Sequence, residues 1–130
     1  MDRRTAVAAL ALAMILAVVA APARAQSTKC LPASLKAAIA HIGKHYGKVQ
    51  VISAFRRSSI IAGSRKLSKH AACEAVDFHV SGNRNGAVGW LRRQSLEVIT
   101  YSGGMHHVHI AVGSYKGHHV VDKRGRRVRR

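Results

Sequence analysis

Two short segments alternate apolar and ionisable residues, and this alternation constrains the fold more than any other feature of the chain. The segment EAVDFHV places Asp77 and His79 on one side and its large apolar residues on the other. The segment HHVHIAVG likewise places His107 and His109 opposite valine and isoleucine. Because successive side chains of a strand point to opposite faces, each segment predicts a strand with one buried face. If these strands are neighbours, Asp77, His107 and His109 converge.

The remaining pattern predicts a small α+β domain in which helices flank a mostly antiparallel sheet. Apolar residues recur at three- and four-residue spacing in LPASLKAAIAHIGKHYG (31–47), which indicates a helix. A shorter helix is predicted over 83–95. Two further strands are predicted, in KVQVISAFRR (48–57) and LEVITYS (96–102).

The first 25 residues differ in kind from the rest. Arg3 and Arg4 precede an apolar run over 6–21, and Ala-Arg-Ala ends at Ala25. This pattern predicts a secretory signal peptide over 1–25, with a membrane anchor as the alternative. We expect export to a periplasm and no membrane span after cleavage.

The chain after the cut divides into a domain over 26–115 and a basic tail over 116–130, which we expect to be poorly ordered. The formal net charge is +17 for the whole chain and +15 once residues 1–25 are removed. Such a surface attracts anionic polymers of the cell envelope. We expect no specific partner among nucleic acids.

Cys30 and Cys73 are the two cysteines of the chain. Export to an oxidising compartment favours a disulfide between them. The alternative is a free thiol that acts as a metal ligand.

Two histidines and one carboxylate are a recurrent ligand set of catalytic zinc, which keeps a further position open. A third histidine is available from the loop before the first of these strands, at His70. The alternative is a set of solvated histidines on an open sheet face, with Asp77 paired to one of the many arginines.

Three segments between residues 49 and 113 resemble one family. SKHAACEAVDF is similar to the Ser-x-His-x-x-Gly-x-Ala-x-Asp-Phe signature of the zinc D-alanyl-D-alanine carboxypeptidases and endopeptidases that act on peptidoglycan. VQVISAFRRSS resembles their strand ending in Ser-Gly-Tyr-Arg-Ser, and MHHVHIAVG resembles their His-x-His strand. The wider group includes lysostaphin-like peptidases and the hedgehog signalling domain.

The resemblance implies a zinc peptidase with its metal on one sheet face. It implies that His70, Asp77 and His109 bind Zn²⁺ and that His107 is catalytic, beside the metal. It also implies that Arg56 faces the substrate, a peptide of peptidoglycan.

Three positions depart from the family pattern. Cys73 replaces a glycine, Ala111 replaces a frequent aspartate, and His106 stands where many relatives have a glutamate base. With no acidic residue nearby, His107 is the better candidate base. The departures keep open a non-catalytic wall-binding module, and the charge keeps open a basic polyanion-binding exported protein. A metal carrier that uses the nine histidines ranks last, and we expect no ligand role for His118 or His119.

Overall fold

The computed structural model describes residues 27–61, 64–113 and 115–129. The expected signal peptide, 1–25, lies outside the described residues. The described residues form an α+β domain with five strands, two helices and one 3-10 turn. In chain order these are α1 (Ala33–His45), β1 (Gly47–Ser53), the 3-10 turn (Lys69–Ala72), β2 (Ala75–Gly82), α2 (Arg84–Leu91), β3 (Glu97–Tyr101), β4 (Val108–Ala111) and β5 (Gly117–Val121).

The strands form one sheet in the order β1-β2-β4-β3-β5. The pairs β1–β2, β2–β4 and β4–β3 are antiparallel, and β3–β5 is parallel. The predicted α+β class is therefore confirmed, and the sheet expected to be mostly antiparallel is mixed, with one parallel pair beside three antiparallel pairs. The two histidine-bearing strands, β2 and β4, are neighbours in the sheet, which is the condition for Asp77 and His109 to lie close together.

The segment expected as a basic tail, 116–130, contains a strand and a turn among its described residues. Residues Gly117–Val121 form the edge strand β5, which pairs with β3 along its length. Asp122 then accepts hydrogen bonds from the backbone N–H groups of Arg124 and Arg126 and closes a turn. The chain returns beside β5, because the N–H of Val128 donates to a carbonyl of that strand at 2.8 Å. Backbone pairing orders this basic segment despite its polar composition.

The hydrophobic core lies on one face of the sheet, beneath both helices. Helix α1 buries Leu35, Ala38 and Ile42, the stripe that its spacing predicted. The sheet contributes Val76 and Phe78, which are fully buried. Because strand side chains alternate, the residues between these apolar positions project from the opposite face, where no helix packs among the described residues.

A disulfide joins Cys30 to Cys73, as predicted. It indicates an oxidising, exported environment. Cys73 ends the 3-10 turn in the left-handed conformation, with φ 54°. Glycine adopts that conformation at little cost, whereas a residue with a side chain is strained there. Within the described ranges, no helix is both long and apolar enough to cross a membrane.

Candidate metal centre

The sheet face opposite the helices carries one row of side chains to which every strand contributes. Ser53 pairs with Asp77, Asp77 with His109, His109 with Ile99, and Ile99 with His119. Directly opposed residues of neighbouring strands share a face and lie about 5 Å apart. The pairing of β2 with β4 therefore brings Asp77 and His109 together.

His70 reaches this row from the 3-10 turn. The backbone N–H of Arg56 donates to the His70 carbonyl at 3.0 Å and anchors the turn to the end of β1. The imidazole Nδ1 lies 2.7 Å from the carbonyl oxygen of Ala54. A carbonyl only accepts, so Nδ1 carries a proton. Nε2 faces Asp77 and His109, and once deprotonated it can bind a metal. An anchored outer ring nitrogen of this kind is typical of metal-binding histidines.

The three potential ligand atoms fit one small cation. His70 Nε2 lies 3.2 Å from Asp77 Oδ2 and 3.3 Å from His109 Nδ1, and His109 Nδ1 lies 2.8 Å from Asp77 Oδ1. Tetrahedral bonds of roughly 2.0–2.1 Å separate neighbouring ligands by about 3.3 Å. All three side chains are buried. This group can hold a metal ion.

The charges of the group are strongly coupled. Burial alone would raise the pKa of the Asp77 carboxyl, but hydrogen bonds from His109 and His70 outweigh it and hold that pKa far below its usual value. Burial acts to lower the pKa of His109, yet hydrogen bonding to Asp77 and Glu97 raises it. The site thus favours a positive charge between its carboxylates, which a metal cation also supplies.

Glu97 belongs to the site, although the sequence reading found no acidic residue nearby. Its Oε1 lies 3.6 Å from His109 Nε2, on the side of the ring that faces away from Asp77. Hydrogen bonding to His109 lowers the pKa of Glu97, so the carboxylate is charged at neutral pH. If His109 Nδ1 binds a metal, Nε2 carries the proton and Glu97 is placed to accept it and orient the ring. The alternation in LEVITYS indicates which sheet face Glu97 lies on. Its position beside His109 follows only from the strand order.

His107, the predicted catalytic residue, lies just before β4 and is partly buried. Its ring is 4.2 Å from the Tyr101 ring and 6.4 Å from the His79 ring. Burial lowers the pKa of His107, which keeps it neutral and able to accept a proton. Tyr101 stands between His107 and β5, and burial raises the pKa of its phenol, which therefore remains a donor.

An open pocket of about 460 Å³ lies over the ligand group. His70, Asp77 and His109 line it together with Glu97 and Tyr101, whereas His107 does not.

The predicted substrate residue Arg56 also lines the pocket. Its guanidinium lies 3.7 Å from Asp77 Oδ2, and its side chain is 48% exposed. One face of Arg56 therefore neutralises Asp77, as the alternative reading of the sequence expected, and the other is open to a ligand.

Three buried polar atoms among the described residues have no hydrogen-bond partner, and they gather around this site: Ser53 Oγ, Ser68 Oγ and His119 Nδ1. Ser53 shares the row of Asp77, while Ser68 and His119 line the pocket. Buried polar groups are almost always satisfied, so such a cluster points to a bound ligand or water. His119, for which no ligand role was expected, lies at the site because β5 pairs with β3.

The fold and site define a small α+β domain with a buried two-histidine, one-aspartate group at the base of an open pocket. The chain matches no protein-family model, no curated protein and no solved structure. The family resemblance therefore rests on the motif residues.

Proposed function

We propose that this protein is a zinc-dependent peptidase that cleaves peptide bonds in the stem peptides or cross-links of peptidoglycan. The observation that carries the proposal is the joining of His70, Asp77 and His109 at the base of an accessible pocket. These are the three residues to which the motifs assigned the metal. The disulfide and the basic surface agree with work in the cell envelope.

His70 Nε2, an Asp77 oxygen and His109 Nδ1 would hold the zinc. Two neutral imidazoles and one carboxylate suit this borderline cation and leave a position for water or substrate. Bound by these residues, zinc would supply Lewis-acid chemistry, which in zinc sites brings the pKa of water toward about 7.

The side chains around the ligands supply proton transfer and charge stabilisation. Glu97 is ionised and lines the pocket, so it is a second candidate proton acceptor beside His107. Tyr101 keeps its proton and can donate a hydrogen bond to the developing oxyanion. Arg56 can bind a substrate oxygen with the part of its guanidinium that faces solvent.

A non-catalytic wall-binding module is the second candidate. It is favoured by Ala111, which is buried where similar enzymes often carry aspartate, and by His107, which does not line the pocket. Such a module would keep the metal and bind wall fragments without cleaving them. A polyanion-binding protein would bind through charge alone, with a steep salt dependence.

The test combines metal content with product analysis. Protein comprising residues 26–130 is loaded with zinc, measured by elemental analysis, and incubated with purified peptidoglycan whose fragments are identified by mass spectrometry. We expect about one zinc per chain and new peptide termini; His109→Ala loses both, whereas His107→Ala keeps zinc and loses cleavage. Zinc together with binding to peptidoglycan but no cleavage in the wild type would favour the binding module, and absence of zinc would refute the peptidase.

A further inference from the structure

Three basic side chains line the pocket, and they differ in what neutralises them. Arg56 lies beside Asp77, and Lys69 Nζ lies 3.1 Å from Glu74 Oε2. Across the parts of the chain that the structure describes, no carboxylate forms an ion pair with Arg127. Its guanidinium is therefore available to an acidic ligand.

Backbone pairing fixes Arg127 on the site face. Val121 pairs with Tyr101 of β3, and an isolated antiparallel bridge joins Val121 to Arg127. Paired residues share a face, so Arg127 continues the row of Tyr101 at the edge of the sheet opposite β1. Its guanidinium carbon lies 5.0 Å from the centre of the Tyr115 ring, a contact that restrains an otherwise exposed side chain.

The same edge of the pocket holds an unused hydrogen-bonding atom. His119 lines the pocket with its buried Nδ1 unpartnered, and its ring lies 5.3 Å from that of Tyr115. Arg127 and His119 both line the pocket and both contact the Tyr115 ring, and we call this pair of residues the β5 subsite. The planar guanidinium fork of an arginine matches the two oxygens of a carboxylate.

We infer that the β5 subsite binds a carboxylate of the ligand through Arg127, with His119 beside it. This inference rests on the proposed function for the nature of the ligand, a peptide of the cell wall. Such a peptide offers two carboxylates, the free C-terminus and the α-carboxylate of a γ-linked D-glutamate. Arg56, beyond the opposite edge of the sheet, contacts a different part of the ligand.

The experiment measures binding rather than cleavage, so it is independent of whether the protein is a peptidase. Metal-free protein of residues 26–130 is titrated by calorimetry with acetyl-L-Ala-γ-D-Glu-L-Lys-D-Ala-D-Ala, and with forms amidated at the C-terminus, at the glutamate or at both. We expect the doubly amidated peptide to bind on the order of tenfold more weakly than the diacid, as loss of one charge-assisted contact implies. The singly amidated forms identify which carboxylate is bound.

Arg127→Ala should abolish the preference for the acid, and Arg127→Lys should keep part of it. Arg124→Ala is the matched control, because it removes the same charge from the neighbouring turn at a side chain outside the pocket. An unchanged preference in Arg127→Ala, or an equal loss in Arg124→Ala, overturns the inference, as does a wild type that binds acid and amide alike. Circular dichroism confirms that each variant is folded.

Discussion

Removal of the Cys30–Cys73 disulfide should lower the free energy of unfolding by about 4 kcal/mol. The bridge closes a loop between cysteines that are 43 residues apart. In the chain-entropy description, a loop of that length removes about 13 cal/mol/K from the unfolded state, which is about 4 kcal/mol at 25 °C. For a domain of this size, that is a large part of the total stability.

The measurement is urea unfolding of Cys30→Ser/Cys73→Ser and of the wild type, followed by circular dichroism at pH 7. Thiol titration of the unfolded wild type verifies that the bridge is present. The reduced wild type should unfold at the same urea concentration as the double variant. Both metal-free and zinc-loaded protein are measured, because His70 lies three residues before Cys73 and its anchoring should loosen. A loss smaller than about 1 kcal/mol in the metal-free protein would refute the chain-entropy reasoning for this loop.

Three further predictions concern the site and its support. Glu97→Gln should weaken zinc binding roughly 10- to 100-fold, because the His109 ring is no longer held in position, while the unfolding curve should stay close to that of the wild type. Zinc titration against a competing chelator measures the affinity. An unchanged affinity would exclude the positioning role of Glu97. Cys73→Gly combined with Cys30→Ser should be about 1 kcal/mol more stable than the double serine variant, because glycine relieves the left-handed strain; equal urea midpoints would argue against it. In metal-free protein, the lowered pKa of Asp77 contributes stability that is present above about pH 4 and declines as the pH falls below that value. Asp77→Asn should therefore reduce the dependence of the unfolding free energy on pH in this acidic range. An unaltered slope would contradict the stabilising role of the Asp77 carboxylate.

Much of the sheet could be predicted because apolar and polar residues alternate along its strands. Asp77 and His109 stand in strands whose other face is fully apolar, so burial of Phe78 and Ile110 forces both ionisable groups onto the remaining face. The disulfide also followed from the residue count and the expected compartment. These are local consequences of hydrophobic patterning and cysteine chemistry.

The rest of the site depends on strand order, which alternation does not encode. Glu97 reaches His109 only because β3 pairs with β4, and His119 reaches the pocket only because β5 joins β3 in parallel. The basic segment that carries Arg127 contains few apolar residues, so its composition resembles that of a tail. Its order comes from backbone hydrogen bonds, which carry no residue-specific signal.

The candidate metal site and the β5 subsite of the pocket come from different parts of the sequence. The three candidate metal ligands, His70, Asp77 and His109, all precede β5 in the sequence, whereas the β5 subsite consists of residues that follow Gly113. Insertions or replacements beyond Gly113 would therefore change which molecules the pocket binds and leave the candidate metal-binding residues in place. Specificity for the bound molecule and affinity for the metal can then change separately during evolution.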